Sequence, residues 1–127
     1  MLIESLHALR DRYPQTGAIA LSGHAHIDLA WLWPVPETRR KVMRTFHTAL
    51  DLMDRFPDYR FNQSTAQYYA WLEEDEPDLL ARIKEKVDAG QWEPIGAMWV
   101  EPDTNMPTGE SLVRQLLYGI RYFDKMF

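Results

Sequence analysis

Hydrophobic positions along the chain alternate between a helical and a strand-like pattern. The first pattern places apolar side chains three or four residues apart, at Leu2, Ile3, Leu6, Leu9 and Tyr13. It predicts a helix that Pro14 ends. The next apolar run, residues 18–21, is short and continuous and stops at Ser22 and Gly23. This run predicts a strand that is buried on both faces.

The same alternation continues along the rest of the chain. Pro36 and Glu37 open a second predicted helix, which ends near Pro57. The apolar stripe of this helix consists of Val42, Met43, Phe46, Leu50 and Met53. Residues 59–62 predict a second strand, and residues 92–100 contain a third strand with an irregular exit. The remaining predicted helices span residues 66–74, run from Pro77 to a C-cap at Gly90, and begin after a cap at Thr108.

Strands that alternate with helices predict an α/β fold with a parallel sheet of β/α units. The chain has 127 residues, which is about half of the ~250 residues that a closed barrel of such units takes. The pattern contains no strand after the last helix, and a sheet of about three strands is thin. We therefore expect residues 1–127 to form a single domain or a fragment of a larger α/β domain.

Composition narrows the classes of partner and environment. Lys and Arg number 14 against 19 Asp and Glu, which gives a net charge of −5 and argues against nucleic-acid binding as the main role. The absence of Cys excludes a disulfide framework, thiolate metal ligands and a cysteine nucleophile. The sequence shows no signal peptide, and no apolar run approaches ~18 residues. We therefore expect a cytoplasmic protein that does not span a membrane.

The strongest chemical signal lies in residues 23–34, directly after the first predicted strand. The carboxyl ends of strands are where parallel sheets place their ligands. In extended backbone, alternate side chains share a face, so His24, His26 and Asp28 would converge. Two imidazoles and a carboxylate suit Zn²⁺, Co²⁺ or a similar divalent ion. The alternative interpretation is a polar loop in which Asp28 caps the following helix.

Two further features follow predicted strands. Glu101 and Asp103 lie beside Trp99 and could hydrogen-bond sugar hydroxyls, although Asp103 could equally satisfy backbone amides in a turn. Trp31 and Trp33 follow the His-Asp run, where an indole serves either as core or as a flat surface for a ring ligand. The residues alone leave both choices open.

Taken together, these motifs resemble a known enzyme family. The run from His24 to Pro34, H-A-H-I-D-L-A-W-L-W-P, resembles the amino-terminal motif of glycoside hydrolase family 38 α-mannosidases, and it is most similar to the branch with the cytosolic enzymes. The similarity continues through the motifs at residues 37–40, 63–67, 96–103 and 109–115. It therefore covers nearly the whole chain from about residue 19 onwards.

The resemblance implies a zinc-dependent, retaining exo-α-mannosidase that removes terminal α-linked mannose from oligosaccharides on a β/α-barrel-like catalytic domain. It maps metal ligands onto His26 and Asp28, and it maps the indole that packs against the mannose onto Trp31. His24 would neighbour the metal or face the substrate, and Asp103 is a further candidate for sugar contact. The metal, Zn²⁺ or another divalent ion such as Co²⁺, would grip sugar hydroxyls and orient the ring.

The resemblance also implies what the chain lacks. In the family, the nucleophile, a further histidine ligand and the acid/base carboxylate come after the helix that here is last. We therefore expect no catalytic residue in this chain and no mannosidase activity from the chain alone. An unpaired sheet edge would also favour self-association, and hence a homo-oligomer.

Two other functions are consistent with the same residues. In a metal-dependent hydrolase of the amidohydrolase type, His24 and His26 would both bind metal and Asp28 would be peripheral. In a non-catalytic sugar-binding module, the five Trp residues would supply the binding surface and no metal would be needed.

Overall fold

The structure, a computed structural model, describes residues 2–14 and 16–127. These residues form five helices and a sheet of three short strands. Their order is α1 Leu2–Arg12, β1 Gly23–His24, α2 Val35–Arg55, β2 Phe61–Gln63, α3 Ala66–Asp75, α4 Pro77–Asp88, β3 Trp92–Pro94 and α5 Gly109–Met126. None of the helices described combines the length and apolar character that a membrane crossing requires.

The sheet is parallel, as the alternation of elements predicts. Its strand order is β1-β2-β3, with Gly23 opposite Phe61 and Phe61 opposite Trp92. Because all three strands run the same way, the loops after His24, Gln63 and Pro94 leave from one edge of the sheet. The α/β class is confirmed in this form, while the larger barrel-like domain stays a prediction.

The core is built around an aromatic cluster between the sheet and helices α2, α3 and α4. Trp92 is 1% exposed, and its ring lies 5.0 Å from that of Phe46 in an edge-to-face arrangement. The Trp92 indole donates a hydrogen bond of 2.9 Å to the Tyr69 hydroxyl, which in turn donates one of 3.2 Å to the Gln63 carbonyl. Burial raises the pKa of Tyr69 well above its usual value, because no water solvates the phenolate.

The helices begin and end close to the Pro, Gly and Thr residues from which their boundaries are predicted. Pro36 lies in the first turn of α2, and Pro77 is the first residue of α4. Gly90, with φ of 68°, follows α4 in the left-handed conformation that glycine tolerates. The Thr108 side chain caps α5 by accepting a hydrogen bond from the Ser111 amide.

The strand predicted at residues 18–21 is wrong. These residues form no strand, and Ile19 and Leu21 are 87% and 86% exposed. Sheet pairing begins only at Gly23, whose amide donates to the Arg60 carbonyl at 2.7 Å. An apolar run becomes a buried strand only where other elements cover it, and no described residue covers this one. Helix α1 forms as predicted but likewise contains no buried residue.

Helix α5 packs directly on the backbone of the segment that follows β3. A Cβ atom placed on Gly119 would lie 2.1 Å from the Ala97 carbonyl oxygen and 2.7 Å from the Trp99 amide nitrogen. Only glycine permits an approach this close. The helix therefore presses on residues 97–99 and helps to fix the loop that carries Glu101.

Candidate functional site

The loop after β1 has the alternation that its sequence predicts. Ile27 is buried, and Ala25 and Leu29 pack against the core. The side chains of His26 and Asp28 remain 58% and 46% exposed. The loop therefore presents its imidazole and carboxylate groups at the edge of the sheet, while its apolar side chains anchor it.

Three hydrogen bonds from three different elements hold the anchored side of this loop. The Gln63 side-chain amide, on β2, donates to the Ala25 carbonyl at 2.9 Å. The Tyr68 hydroxyl, on α3, donates to the Ile27 carbonyl. The Thr38 hydroxyl, on α2, donates to the Leu29 carbonyl at 2.7 Å. Burial raises the pKa of Tyr68 to about 12, so its hydroxyl stays protonated and able to donate at neutral pH.

Asp28 does not cap a helix, so the capping role in the alternative interpretation is wrong. Helix α2 begins at Val35, and Pro34 occupies its N-cap position. The Asp28 carboxylate instead faces His26, with Oδ1 3.3 Å from Nε2 of the imidazole. His26 and Asp28, which the sequence predicts to act together, therefore also contact each other in the structure.

A third residue, Glu101, joins this pair from the segment after β3. One of its carboxylate oxygens bonds to Nδ1 of His26, and the other accepts a hydrogen bond from the Ser64 hydroxyl. Oε1 of Glu101 also lies 3.9 Å from Nε2 of His24. Five side chains from three segments therefore meet at the carboxyl edge of the sheet: His24, His26, Asp28, Ser64 and Glu101. Glu101 bonds to the His26 imidazole and approaches that of His24.

The electrostatics of this cluster follow from these contacts. The hydrogen bond to Glu101 raises the pKa of His26, and the contact with Asp28 adds to it, although partial burial opposes both. Burial alone would raise the pKa of Glu101, but the hydrogen bonds from Ser64 and His26 outweigh it, so the pKa is lowered. Without a bound cation, the two carboxylates therefore stabilise the protonated form of His26, which is why its pKa lies above that of an isolated imidazole.

Sequence reasoning placed Glu101 near sugar hydroxyls but did not bring it to the histidines. The two residues are 75 positions apart, and only the strand order β1-β2-β3 brings their loops together. A usable signal did exist, because Glu101 and Ser64 both lie directly after predicted strands of a parallel sheet.

The segment that carries Glu101 is held by two amide side chains. The Trp99 indole donates to the Gln67 side chain at 2.9 Å, and its ring packs edge-to-face against Tyr122. The next amide, that of Val100, donates to the Gln115 side chain at 2.8 Å. Trp99 is half-buried, and its contacts with Gln67 and Tyr122 are packing contacts.

Asp103 has a different environment from Glu101. Its Oδ1 accepts a hydrogen bond of 2.7 Å from the Asn105 amide, a local turn of the kind that Asp commonly forms. The structure gives Asp103 no contact with His24, His26 or Asp28. The structure agrees with the interpretation in which Asp103 binds a backbone amide in a turn. A sugar contact from this residue stays a prediction.

The two tryptophans after Asp28 separate in space. Trp31 is 69% exposed, so its indole is not part of the core. Trp33 is half-buried, and its indole nitrogen donates to the Thr38 hydroxyl at 2.9 Å. Lys41 covers the Trp33 ring, with Nζ 4.5 Å from the ring centre. Of these two tryptophans, Trp31 is the one whose aromatic surface is largely exposed, three residues after Asp28.

The donor set at this edge is compatible with a divalent metal ion. With metal–ligand bonds of roughly 2.0–2.2 Å, two atoms bound to one ion lie about 3 Å apart. The separation of 3.3 Å between His26 Nε2 and Asp28 Oδ1 matches that spacing. Across residues 2–14 and 16–127, no group of three or more His, Cys, Asp and Glu side chains forms a complete metal site. The described residues thus offer two ligands of suitable type and spacing.

His24 is already engaged at one of its nitrogens. Nδ1 lies 3.0 Å from the Asn62 carbonyl oxygen, which can only accept, so Nδ1 carries the proton. The remaining nitrogen, Nε2, faces Glu101. The two nitrogens of His24 therefore face the Asn62 carbonyl and the Glu101 carboxylate. Nε2 of His26, in contrast, faces the carboxylate of Asp28, the other predicted metal ligand.

Comparisons with known proteins identify the family to which the chain belongs. The chain belongs to the glycosyl hydrolases of family 38: its residues 16–127 match the N-terminal domain of that family. It is 52% identical over 105 residues to Alpha-mannosidase G of Dictyostelium discoideum. It is 49% identical over 106 residues to an Alpha-mannosidase of Saccharomyces cerevisiae and 48% identical over 109 residues to Alpha-mannosidase 2C1 of Homo sapiens.

These matches cover 83%, 83% and 86% of the chain, respectively. In each case they cover 10% of the relative, so the chain spans about a tenth of the length of the proteins that it matches. The family membership confirms the resemblance seen in the sequence motifs.

Proposed function

We propose that this protein acts as a retaining exo-α-mannosidase on mannose-containing oligosaccharides, and that this chain contributes metal-binding and substrate-contacting residues. The observation that carries the proposal is the pairing of His26 with Asp28 at the carboxyl edge of the sheet, in a chain that belongs to family 38. The names of the relatives, all α-mannosidases, support the choice of substrate.

His26 and Asp28 would hold the metal ion, Zn²⁺ or another divalent cation such as Co²⁺. A bound divalent ion supplies a Lewis acid that binds sugar hydroxyls and orients the ring. The protein's own contribution is to hold Nε2 of His26 and Oδ1 of Asp28 at a fixed 3.3 Å, on a loop that three hydrogen bonds anchor. A rigid loop lowers the entropic cost of binding.

The remaining site residues would contact the sugar. Trp31 offers an exposed indole three residues after Asp28, and aromatic faces pack well against the apolar face of a pyranose ring. His24, with Nδ1 held by the Asn62 carbonyl, has a fixed orientation at the same edge. Asp103 is a further candidate, and its Oδ1 already accepts a hydrogen bond from the Asn105 amide.

The reacting carboxylates would come from outside this chain. Retaining hydrolysis needs a nucleophile and an acid/base carboxylate about 5–5.5 Å apart. Asp28 is assigned to the metal, and both oxygens of Glu101 already have partners, Ser64 and His26. We therefore expect the 127-residue chain alone to be inactive towards α-mannosides.

The test is turnover of an aryl α-mannoside by the full-length gene product, purified with zinc. We expect hydrolysis that a chelator abolishes and that zinc restores, with the α-anomer of mannose formed first, as followed by proton NMR. An aryl β-mannoside is the matched control and should not react. Failure to hydrolyse the α-mannoside with zinc present would overturn the proposal, and initial release of β-mannose would overturn retention.

Location and assembly are secondary parts of the proposal. We propose a cytoplasmic protein that acts on free or protein-bound oligosaccharides and not on nucleic acid, in line with its net charge of −5. Strand β1 pairs with β2 on one side only, which leaves an edge through which copies could associate. Size-exclusion chromatography with light scattering would test that association.

A further inference from the structure

The hydrogen-bond pattern around Glu101 has a consequence for His26 that goes beyond which residues bind metal. A neutral imidazole carries one proton, on either Nδ1 or Nε2. Only the nitrogen without the proton has a lone pair that can coordinate a cation. In the structure, Glu101 lies against Nδ1 of His26, while Asp28 lies near Nε2. The two carboxylates therefore compete for the proton of His26.

The geometry favours Glu101 in this competition. Its carboxylate makes the closer contact with the imidazole, whereas Asp28 lies 3.3 Å from Nε2. Glu101 is also the better-fixed carboxylate, because the Ser64 hydroxyl donates to its other oxygen. Its side chain is 38% exposed against 46% for Asp28, so water weakens its hydrogen bond less.

The backbone on either side of Glu101 is fixed as well. The Gln115 side chain accepts from the Val100 amide, directly before Glu101. Gly119 lets α5 press on residues 97–99, so the segment cannot move away from the sheet edge without losing this contact. Two elements, β3 and α5, therefore hold Glu101 next to His26.

We infer that Glu101 is a positioning residue, which accepts a hydrogen bond from the Nδ1–H of His26 and so leaves the lone pair on Nε2, the nitrogen that faces Asp28. The inference rests on the proposed function for its metal, but the tautomer itself is a property of the metal-free chain. In metal sites, a carboxylate that holds the far nitrogen of a histidine ligand commonly orients the ring and raises its basicity. Here a loop 75 residues away supplies that carboxylate.

The tautomer is tested by long-range proton–nitrogen NMR on the nitrogen-labelled, metal-free chain, at a pH where titration shows His26 to be neutral. The chain has four His, so the His26 signals are assigned by their loss in His26→Ala. We expect a proton on Nδ1 in the wild type and a shift of that proton to Nε2 in Glu101→Ala. Glu101→Gln, which keeps an acceptor oxygen, should retain the proton on Nδ1.

Asp103→Asn is the matched control for this experiment, because it removes a charge from the same segment without touching His26. It should leave the tautomer as in the wild type. Three results would overturn the inference: a wild-type proton on Nε2, an unchanged tautomer in Glu101→Ala, or the same shift in Asp103→Asn.

Zinc affinity of the full-length gene product, measured by competition with a chelating dye, separates this inference from the proposed function. We expect Glu101→Ala to weaken zinc binding about 10- to 100-fold, the range typical for carboxylates that orient a histidine ligand. If the wild type binds no zinc but Glu101→Ala still moves the proton, the proposed metal role fails and the positioning role stands. If zinc binds through His26 with equal affinity in Glu101→Ala, the positioning role fails.

Discussion

Trp92 and Trp31 have the same side chain but lie in two regions of the molecule with opposite environments, one buried and one exposed. Trp92 is 1% exposed, with its ring against Phe46 and Phe61 and its indole proton on the Tyr69 hydroxyl. Trp31 is 69% exposed and follows Asp28 by three residues. The aromatic core is defined by burial, whereas the site is defined by hydrogen bonds that fix partly exposed groups. Substitutions in the first region should cost folding free energy, and substitutions in the second should cost function.

The largest effect is expected at the site, for His26→Ala and Asp28→Ala in the full-length gene product. Each change removes one of two proposed metal ligands, so we expect loss of bound zinc and of essentially all turnover. Because both side chains are partly exposed, stability should change by less than about 0.5 kcal/mol. Metal analysis, turnover and thermal unfolding measure the three quantities.

His24→Ala is the matched control for these two variants, because Nδ1 of His24 binds a backbone carbonyl and not Asp28. It should retain most of the zinc. The site would instead be of the amidohydrolase type if His24→Ala emptied it while Asp28→Ala left it full.

In the core, Trp92→Ala should lower the free energy of unfolding by about 3–5 kcal/mol, the range for truncation of a fully buried indole. The loss combines a cavity beside Phe46 with removal of the hydrogen bond that the indole donates to the Tyr69 hydroxyl. Urea unfolding measures it. Trp92→Phe should cost less, because it leaves a smaller cavity, and a loss below about 1 kcal/mol in Trp92→Ala would contradict the assignment of Trp92 to the core.

Gly119 lies between the two regions, so Gly119→Ala should disturb both. Its new methyl group would meet the backbone of residues 97–99, so we expect a loss of about 1–3 kcal/mol, as for other overpacked positions. Gly109→Ala is the control in the same helix, since a Cβ there meets nothing within 4 Å. Urea unfolding should separate the two variants, and equal stability would show that α5 does not press on this segment.

Trp31→Ala should have the smallest effect on folding and a moderate one on turnover. Its indole is exposed, so stability should stay within about 0.5 kcal/mol of the wild type. Loss of an aromatic contact worth about 1 kcal/mol corresponds to a decrease of roughly fivefold to tenfold in kcat/KM. Trp31→Phe should recover part of it. Unchanged kcat/KM in Trp31→Ala would remove Trp31 from the sugar site.

The parts of the fold that the sequence predicts well are those with local causes. Proline, glycine and threonine set the ends of α2, α4 and α5 through their own backbone and side-chain chemistry. The alternation of residues 24–29 likewise follows from the period of extended backbone. These features do not depend on what lies elsewhere in the chain.

The features that sequence reasoning missed depend on tertiary neighbours. The run at residues 18–21 has the composition of a buried strand, but its exposure depends on whether another layer covers it. The contact between Glu101 and His26 depends on the strand order and on α5, and neither is encoded near either residue. Local patterns therefore predict which groups face the sheet edge but not which of them meet.

The three anchors of the loop after β1 also restrict how its length can vary. Gln63, Tyr68 and Thr38 hold the carbonyls of alternate residues, from Ala25 to Leu29. Inserting or deleting one residue inside this stretch would invert the alternation and turn the imidazole and carboxylate groups towards the core. Most surface loops tolerate such length changes. This loop does not, so its chemistry can diversify in evolution only by substitution and not by insertion or deletion.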